Sequence, residues 1–253
     1  MRDSLYRSAE LAAEELLRDW SGTPPVDLQG LALAMGVAQI VTRPISSDGR
    51  LEVHSDRKVI VVDAGAGDTR RRFTIAHELG HVWLGARGSR ALSLDPARQE
   101  RFCNAFAAAL LLPSQWIVHK AGEHEPGLEA LRAISGEASV SMASCLIRLH
   151  RFPDWRKTLM QWRWDEGDWR LWSIAGTSLR HRSQIDSVEK TRRTISLIRR
   201  VGGGVHRCPL WLGIGSQERQ VEAELMVDRG CALALVSWQE AVDPEEPWQL
   251  RPS

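Results

Sequence analysis

"FTIAHELGHVWLG", residues 73–85, is the stretch from which the rest of the chain is read. As a helix it stacks His77 above His81, because residues four apart share a face at 3.6 residues per turn. Both rings can then offer a nitrogen to one ion at roughly 2.0–2.1 Å, with Glu78 beside that edge to take a proton from a bound water. The alternative is an ordinary buried helix with two satisfied histidines. The uncharged flank of Phe73, Ile75, Ala76, Leu79, Val82 and Trp83 favours the first reading. A helix that crosses a core while aiming three polar groups at one spot needs an ion or a hydrogen-bond network to offset their burial.

A catalytic zinc takes three protein ligands and keeps one position open. The extended motif that uses a later histidine needs Gly and His three and six residues after the second His, but Leu84 and Arg87 stand there. The other common solution, that of thermolysin-like enzymes, draws a glutamate from a helix about twenty residues on, and Glu100 follows His81 by 19. It opens the run ERFCNAFAAALLLP, residues 100–113. Asn104, four residues later, shares its face and can bond the second nitrogen of a ligand histidine. The plainer reading makes Glu100 a first-turn glutamate favoured by the helix dipole.

The 253 residues suffice for one large domain or two to three small ones. With 33 Lys+Arg against 32 Asp+Glu, overall charge argues neither for a nucleic-acid coat nor for a membrane surface. Cys103, Cys145, Cys208 and Cys231 are widely spaced without a CxxC pair, which predicts reduced thiols in a cytoplasmic protein. The N-terminus has charges throughout and no signal-peptide pattern, and no apolar run reaches membrane-spanning length.

Leu5, Leu11, Leu16 and Leu17 predict a helix over 3–20, and Asp27 caps a second one that Gly36 closes. VAQIVTRPI, GRLEVHS and KVIVVDA then read as a small antiparallel sheet over 37–63. Helices are expected over 69–83 and 96–112, and another in PSQWIVHKAGE. LEALRAISGEASVSMASCLIRLHRF reads as two helices around a turn at Ser135-Gly136, resembling a helix-turn-helix. From Trp155 onward the texture changes, with eight of the eleven tryptophans and a hairpin around Asp-Glu-Gly-Asp. Residues 184–201 look helical, HRCPLWLGI, QVEAELMVD and GCALALVSW look like strands, and the tail DPEEPWQLRPS reads as frayed. The expected architecture is α+β, with a metallopeptidase domain over 1–120, a helix-turn-helix-like region over 121–153 and a strand-rich α+β domain over 154–253.

RRRFTIAHELGHVWLG followed by ERFCNAFAAALLLP resembles the ImmA/IrrE family of zinc metallopeptidases, as do PPVDLQGLALAMGV and KVIVVDA upstream. The resemblance spans about residues 20–150. It implies a thermolysin-like minimal core in which His77, His81 and Glu100 hold zinc, Glu78 is the catalytic base, and the substrate is a helix-turn-helix repressor of the XRE type whose cleavage releases stress-response or mobile-element genes. The IrrE branch also implies a GAF-like sensor domain at the C-terminal end. A two-His, one-carboxylate site admits manganese as well as zinc.

Arg148 and His150 are the basic groups that SVSMASCLIRLH offers, against Glu123, Glu125, Glu129 and Glu137 nearby, which disfavours direct DNA binding. The basic stretch LRHRSQIDSVEKTRRTISLIRR reads as a solvated helix face, the cluster Trp162, Trp164, Trp169 and Trp172 as cross-strand core packing, and Cys103 as a buried inert thiol. The remaining histidines, His54, His119, His124, His150, His181 and His206, lack motif context; one of them is a candidate for steadying the oxyanion. A strand such as Lys58–Asp63 is expected at a sheet edge, where an extended substrate pairs with it. Two competing classes are a metal-binding regulator that sequesters a repressor without turnover and a DNA-binding regulator with a relic metal site.

Overall fold

The computed structural model describes residues 2–54, 57–88, 95–176, 185–214 and 216–237. They form two compact units, the first from Met1–Lys120 with Ile134–Ser144 and the second from Ala121–Ala133 with Cys145–Gln249, within those described residues.

The first unit begins with α1 (Arg2–Leu16), which buries Ala9, Ala12 and Ala13; of the expected leucines Leu17 is buried, Leu5 and Leu16 are partly buried and Leu11 is exposed. Small side chains let the helix axis approach its neighbour closely, so an alanine stripe serves as the core face. Asp27 caps α2 (Leu28–Ala34), its carboxylate accepting from the Gln29 and Gly30 amides. Three strands follow, β1 (Val37–Arg43), β2 (Gly49–His54) and β3 (Arg57–Asp63), in the order β1-β3-β2. The sheet is mixed rather than antiparallel, since β1 runs parallel to β3 while β2 is antiparallel to it. This also corrects the expectation for Lys58–Asp63, because β3 is the central strand and β2 is at an edge. Ile60, Val61 and Val62 are buried in succession, the unbroken apolar run of a strand covered on both faces.

Two long helices complete the unit. The first, α3 (Asp68–Ala86), carries the histidine pair. The second, α4 (Pro96–Leu111), starts with an Asp95 cap that accepts from the Arg98 amide and with proline at its first position, where no intrahelical donor is lost. Phe102, Cys103, Phe106, Ala107, Leu110 and Leu111 are buried around its circumference, so α4 crosses the core. Pro113 separates it from α5 (Ser114–Glu123). No single helix among the described residues is long and apolar enough to cross a membrane.

Two helices follow, α6 (Leu128–Glu137) and α7 (Met142–Leu149). The turn between them falls after Glu137 and not at Ser135-Gly136: Ser135 is buried inside α6, Ser139 takes φ 52° and the Ser141 hydroxyl accepts from the Ser144 amide to start α7.

The second unit is built on a six-stranded sheet of β4 (Thr158–Asp165), β5 (Asp168–Ala175), β6 (Ile185–Ser187), β7 (His206–Ile214), β8 (Gln217–Asp228) and β9 (Cys231–Ser237), ordered β5-β4-β9-β8-β7-β6. All neighbouring strands in it pair antiparallel. Glu166 and Gly167 both have positive φ, 48° and 90°, as a two-residue hairpin turn requires. The stretch expected to be one helix over 184–201 starts instead with β6, and α8 (Glu189–Val201) follows. Ile195 of α8 packs with Met160, Trp162, Leu210, Leu212 and Leu225 in a core on one sheet face. Trp162 and Trp169 are buried, but Trp164 is half-exposed and Trp172, on the opposite face, is 62% exposed. Residues three apart on one strand face opposite ways, so the four tryptophans do not form one cluster. His181, part of the basic stretch and the DPEEPWQLRPS tail lie outside the described residues.

Candidate metal centre

Three edges of α3 build the site, two of them against α4 and one against β2. His77 and His81 face α4, where Glu100 stands in the first turns. The two Nε2 atoms are 3.2 Å apart. Glu100 Oε2 is 3.2 Å from His77 Nε2, and Oε1 is 3.3 Å from His81 Nε2. Donors about 2.0–2.1 Å from a tetrahedral ion are separated by about 3.3 Å, so this triangle has the size that such an ion imposes.

Proton bookkeeping points the same way. His77 Nδ1 lies 3.0 Å from Asn104 Oδ1. For that contact to be a hydrogen bond the ring must donate from Nδ1, which leaves Nε2 with a lone pair. Burial, and then the His81 charge, lower the His77 pKa, so the ring is held in the neutral form that ligates. Two imidazole nitrogens and a carboxylate therefore converge with too few protons to bridge all three contacts. A cation resolves that conflict, and the residues fit one. Asn104 supports the histidine as its position on the Glu100 face predicts.

The second edge of α3 faces β2. Glu78 is buried, and its pKa is pushed up to about 7 by desolvation first and by the nearby Glu100 charge second, while the Leu51 amide donates to it and pulls the other way. Gly49 lets β2 start against α3, because a Cβ there would collide with the Thr74 methyl group and sit 2.9 Å from the Val61 carbonyl. Thr74 and Glu78, four apart, thus share the face that meets β2.

The third edge is Gly80. A Cβ at this position would lie 3.1 Å from Cys103 Cα and 3.2 Å from both Cβ and Sγ, so a hydrogen atom here is what lets α3 and α4 close to ligand distance. Cys103 is fully buried, and its sulfur lies within 4.8 Å of the ligand atoms of His77 and His81. Burial, reinforced by the Glu100 and Glu78 charges, raises its pKa strongly, which keeps the thiol protonated. We therefore place Glu100 in the ligand triangle and leave Cys103 behind it. Among the other histidines, His54 is on β2, 3.6 Å from Glu52, whereas His150 belongs to the second unit and bonds the Lys157 carbonyl at 2.7 Å.

Reading the spacing alone missed Gly80, Gly49 and the Leu51 amide. A glycine between the motif histidines was a signal for close helix approach. The amide left none, since a backbone donor has no residue type.

Residues 37–150 match the IrrE N-terminal-like domain. The radiation response metalloprotease IrrE of Deinococcus radiodurans is 29% identical over 137 residues, covering 51% of this chain and 38% of that protein. Its Deinococcus deserti counterpart is 30% identical over 152 residues, covering 56% and 52% respectively. The chain thus spans about half, or less, of the length of these curated relatives. A Mycobacterium tuberculosis transcriptional regulator has a similar fold, with a TM-score of 0.53 at 15% identity over 91% of this chain and 75% of that one. Two histidines and a carboxylate that converge between paired helices are a donor set that fits a metal ion. The match over 37–150 and the two curated relatives support a metallopeptidase of the ImmA/IrrE kind over that part of the chain, and such a peptidase implies a metal ion.

Proposed function

We propose that this chain is a zinc-dependent endopeptidase that cleaves a helix-turn-helix repressor of the XRE type and so releases the genes it holds silent. The carrying observation is the 3.2–3.3 Å triangle of His77, His81 and Glu100 with the buried Glu78 carboxylate beside it. In this reading those three residues hold the ion and Asn104 fixes the tautomer of His77. When bound, zinc, or manganese in its place, supplies Lewis acidity to the scissile carbonyl and acidity to a water.

The chain's own residues do the rest. Glu78, with a pKa near 7, can accept a proton and give it up again at neutral pH. It takes the proton of the attacking water and hands it to the leaving amine. The Leu51 amide holds the carboxylate in place during both transfers. An extended substrate pairs with the free edge of β2, which runs beside Glu78. Val53→Pro on that edge is expected to impair cleavage while leaving metal affinity unchanged. A thermolysin-like minimal core over 1–120 and a GAF-like sensor after residue 153 extend this reading to the domain level.

The test is incubation of the metal-loaded protein, and of Glu78→Gln, with the XRE-type repressor encoded nearest to it, followed by intact-mass spectrometry. Discrete fragments from the wild type alone are expected. Intact repressor in both reactions, with the metal bound, overturns the proposal.

A further inference from the structure

In the second unit the outer stripe of α8 and the turn end of the β4–β5 hairpin line an open cavity of about 490 Å³. That is the range of small-molecule sites. Its polar lining is rich in donors and poor in acceptors. Arg192 is fixed by Asp168, Nε to Oδ2 at 3.3 Å, and by donation to the Ser187 carbonyl at 3.2 Å. Arg193 is paired with Glu189, so both carboxylates of the lining are engaged. Arg200, two turns further on, has no ion-pair or hydrogen-bond partner among the described residues. The Trp169 indole N–H donates to the Ser196 hydroxyl at 3.2 Å, which leaves the Ser196 proton free to be donated into the cavity.

The rest of the lining is apolar. Leu197, on a helix stripe otherwise given to charge, is 60% exposed, and Trp164, on β4, is 39% exposed. The Arg199 guanidinium lies 4.6 Å from the Trp164 ring centroid and raises the positive potential at the rim. A site with unspent donors beside exposed hydrophobic surface suits a molecule with the opposite halves.

We propose that this cavity binds a small organic anion, with its phosphate or carboxylate head on Arg200 and Ser196 and its apolar body against Leu197 and Trp164. Neither half suffices alone. Inorganic phosphate leaves the hydrophobic wall wet, and a neutral aromatic leaves Arg200 unpaired. The inference rests only on the second unit and is independent of the peptidase reading.

Isothermal titration of the full chain with adenosine monophosphate and with indole-3-acetate separates the two head groups; adenosine, indole and inorganic phosphate are the controls. Saturable binding of at least one charged probe is expected with a Kd below about 1 mM. The corresponding controls should bind at least tenfold more weakly. Arg200→Gln and Leu197→Ser change exposed side chains, so both variants fold; each should weaken the charged probe about tenfold. In a 15N-indole spectrum the Trp169 resonance should shift on binding. Binding of adenosine monophosphate alone identifies a phosphate ligand, and binding of indole-3-acetate alone a carboxylate. Absence of binding by both, or affinities that neither variant alters, overturns the proposal.

Discussion

Gly80→Ala tests whether the contact between α3 and α4 sets the metal geometry. The new methyl carbon would sit 3.1–3.2 Å from three atoms of Cys103, whereas unstrained carbon contacts lie at about 3.5–4.0 Å. The helices must therefore part by roughly 0.5 Å. The two edges of the triangle that involve Glu100, 3.2 and 3.3 Å, then grow to about 3.7–3.8 Å, and the bonds to a shared ion stretch from about 2.0 to about 2.3 Å, outside the tolerance of such sites. Stability moves less. Alanine gains about 1 kcal/mol over glycine inside a helix, and overpacking costs about 1–3 kcal/mol. The net loss of about 0–2 kcal/mol lowers Tm by at most about 8 °C. Zinc affinity, measured by competition with a chelating dye, should fall at least tenfold, with cleavage falling in parallel. Gly85→Ala is the control: it lies on the same helix with nothing within 4 Å of the added carbon, so it should keep wild-type affinity. Wild-type zinc affinity in Gly80→Ala would refute the reasoning.

Further outcomes follow from the same contacts. In metal-free protein Glu78 carries a pKa of about 7 against 4.5 for the free side chain, so its folded state resists ionisation. No cost arises below about pH 4.5, the cost grows as pH rises to about 7, and it is constant above that, reaching about 3 kcal/mol. Glu78→Gln should therefore be more stable than wild type at pH 8 and equal to it at pH 4, read by denaturant titration at both; an equal difference at the two pH values refutes the burial argument. Asn104→Ala frees His77 to change tautomer and should weaken zinc about 10- to 100-fold while leaving the metal-free melting temperature nearly unchanged. Gly49→Ala forces β2 away from Thr74 and from the Leu51–Glu78 contact, so kcat should drop with metal affinity retained; loss of metal instead would show that β2 supports the ligands and not the base.

The site was legible in the sequence because its parts are local. His77 and His81 are one turn apart, as are Glu100 and Asn104, and helical spacing alone brings each pair to one face. The pairing of the two helices was carried by Gly80 and Cys103, a contact between residues 23 apart that no periodicity reports. Strand order was lost for a similar reason. The run KVIVVD did not alternate, a sign of burial on both faces, yet which strands flank it depends on β1 returning parallel through the β2 hairpin. Leu11 misled because leucine is the stronger hydrophobe, while close packing in α1 is better served by Ala9, Ala12 and Ala13. The hairpin at Glu166-Gly167 was readable because Gly167 supplies the positive φ that a two-residue turn needs, between flanks that alternate.

The ligand set also has a topological effect. In the proposed site two ligands come from α3 and the third from α4, Glu100 following His81 by 19 positions. A bound ion is therefore a reversible cross-link, closing a loop whose entropic worth, on the scale of a disulfide spanning a similar length, is about 3 kcal/mol. On the proposed ligand set, metal supply would set how long the helix pair stays docked, so the protein's resistance to proteolysis would follow the free concentration of the metal it binds.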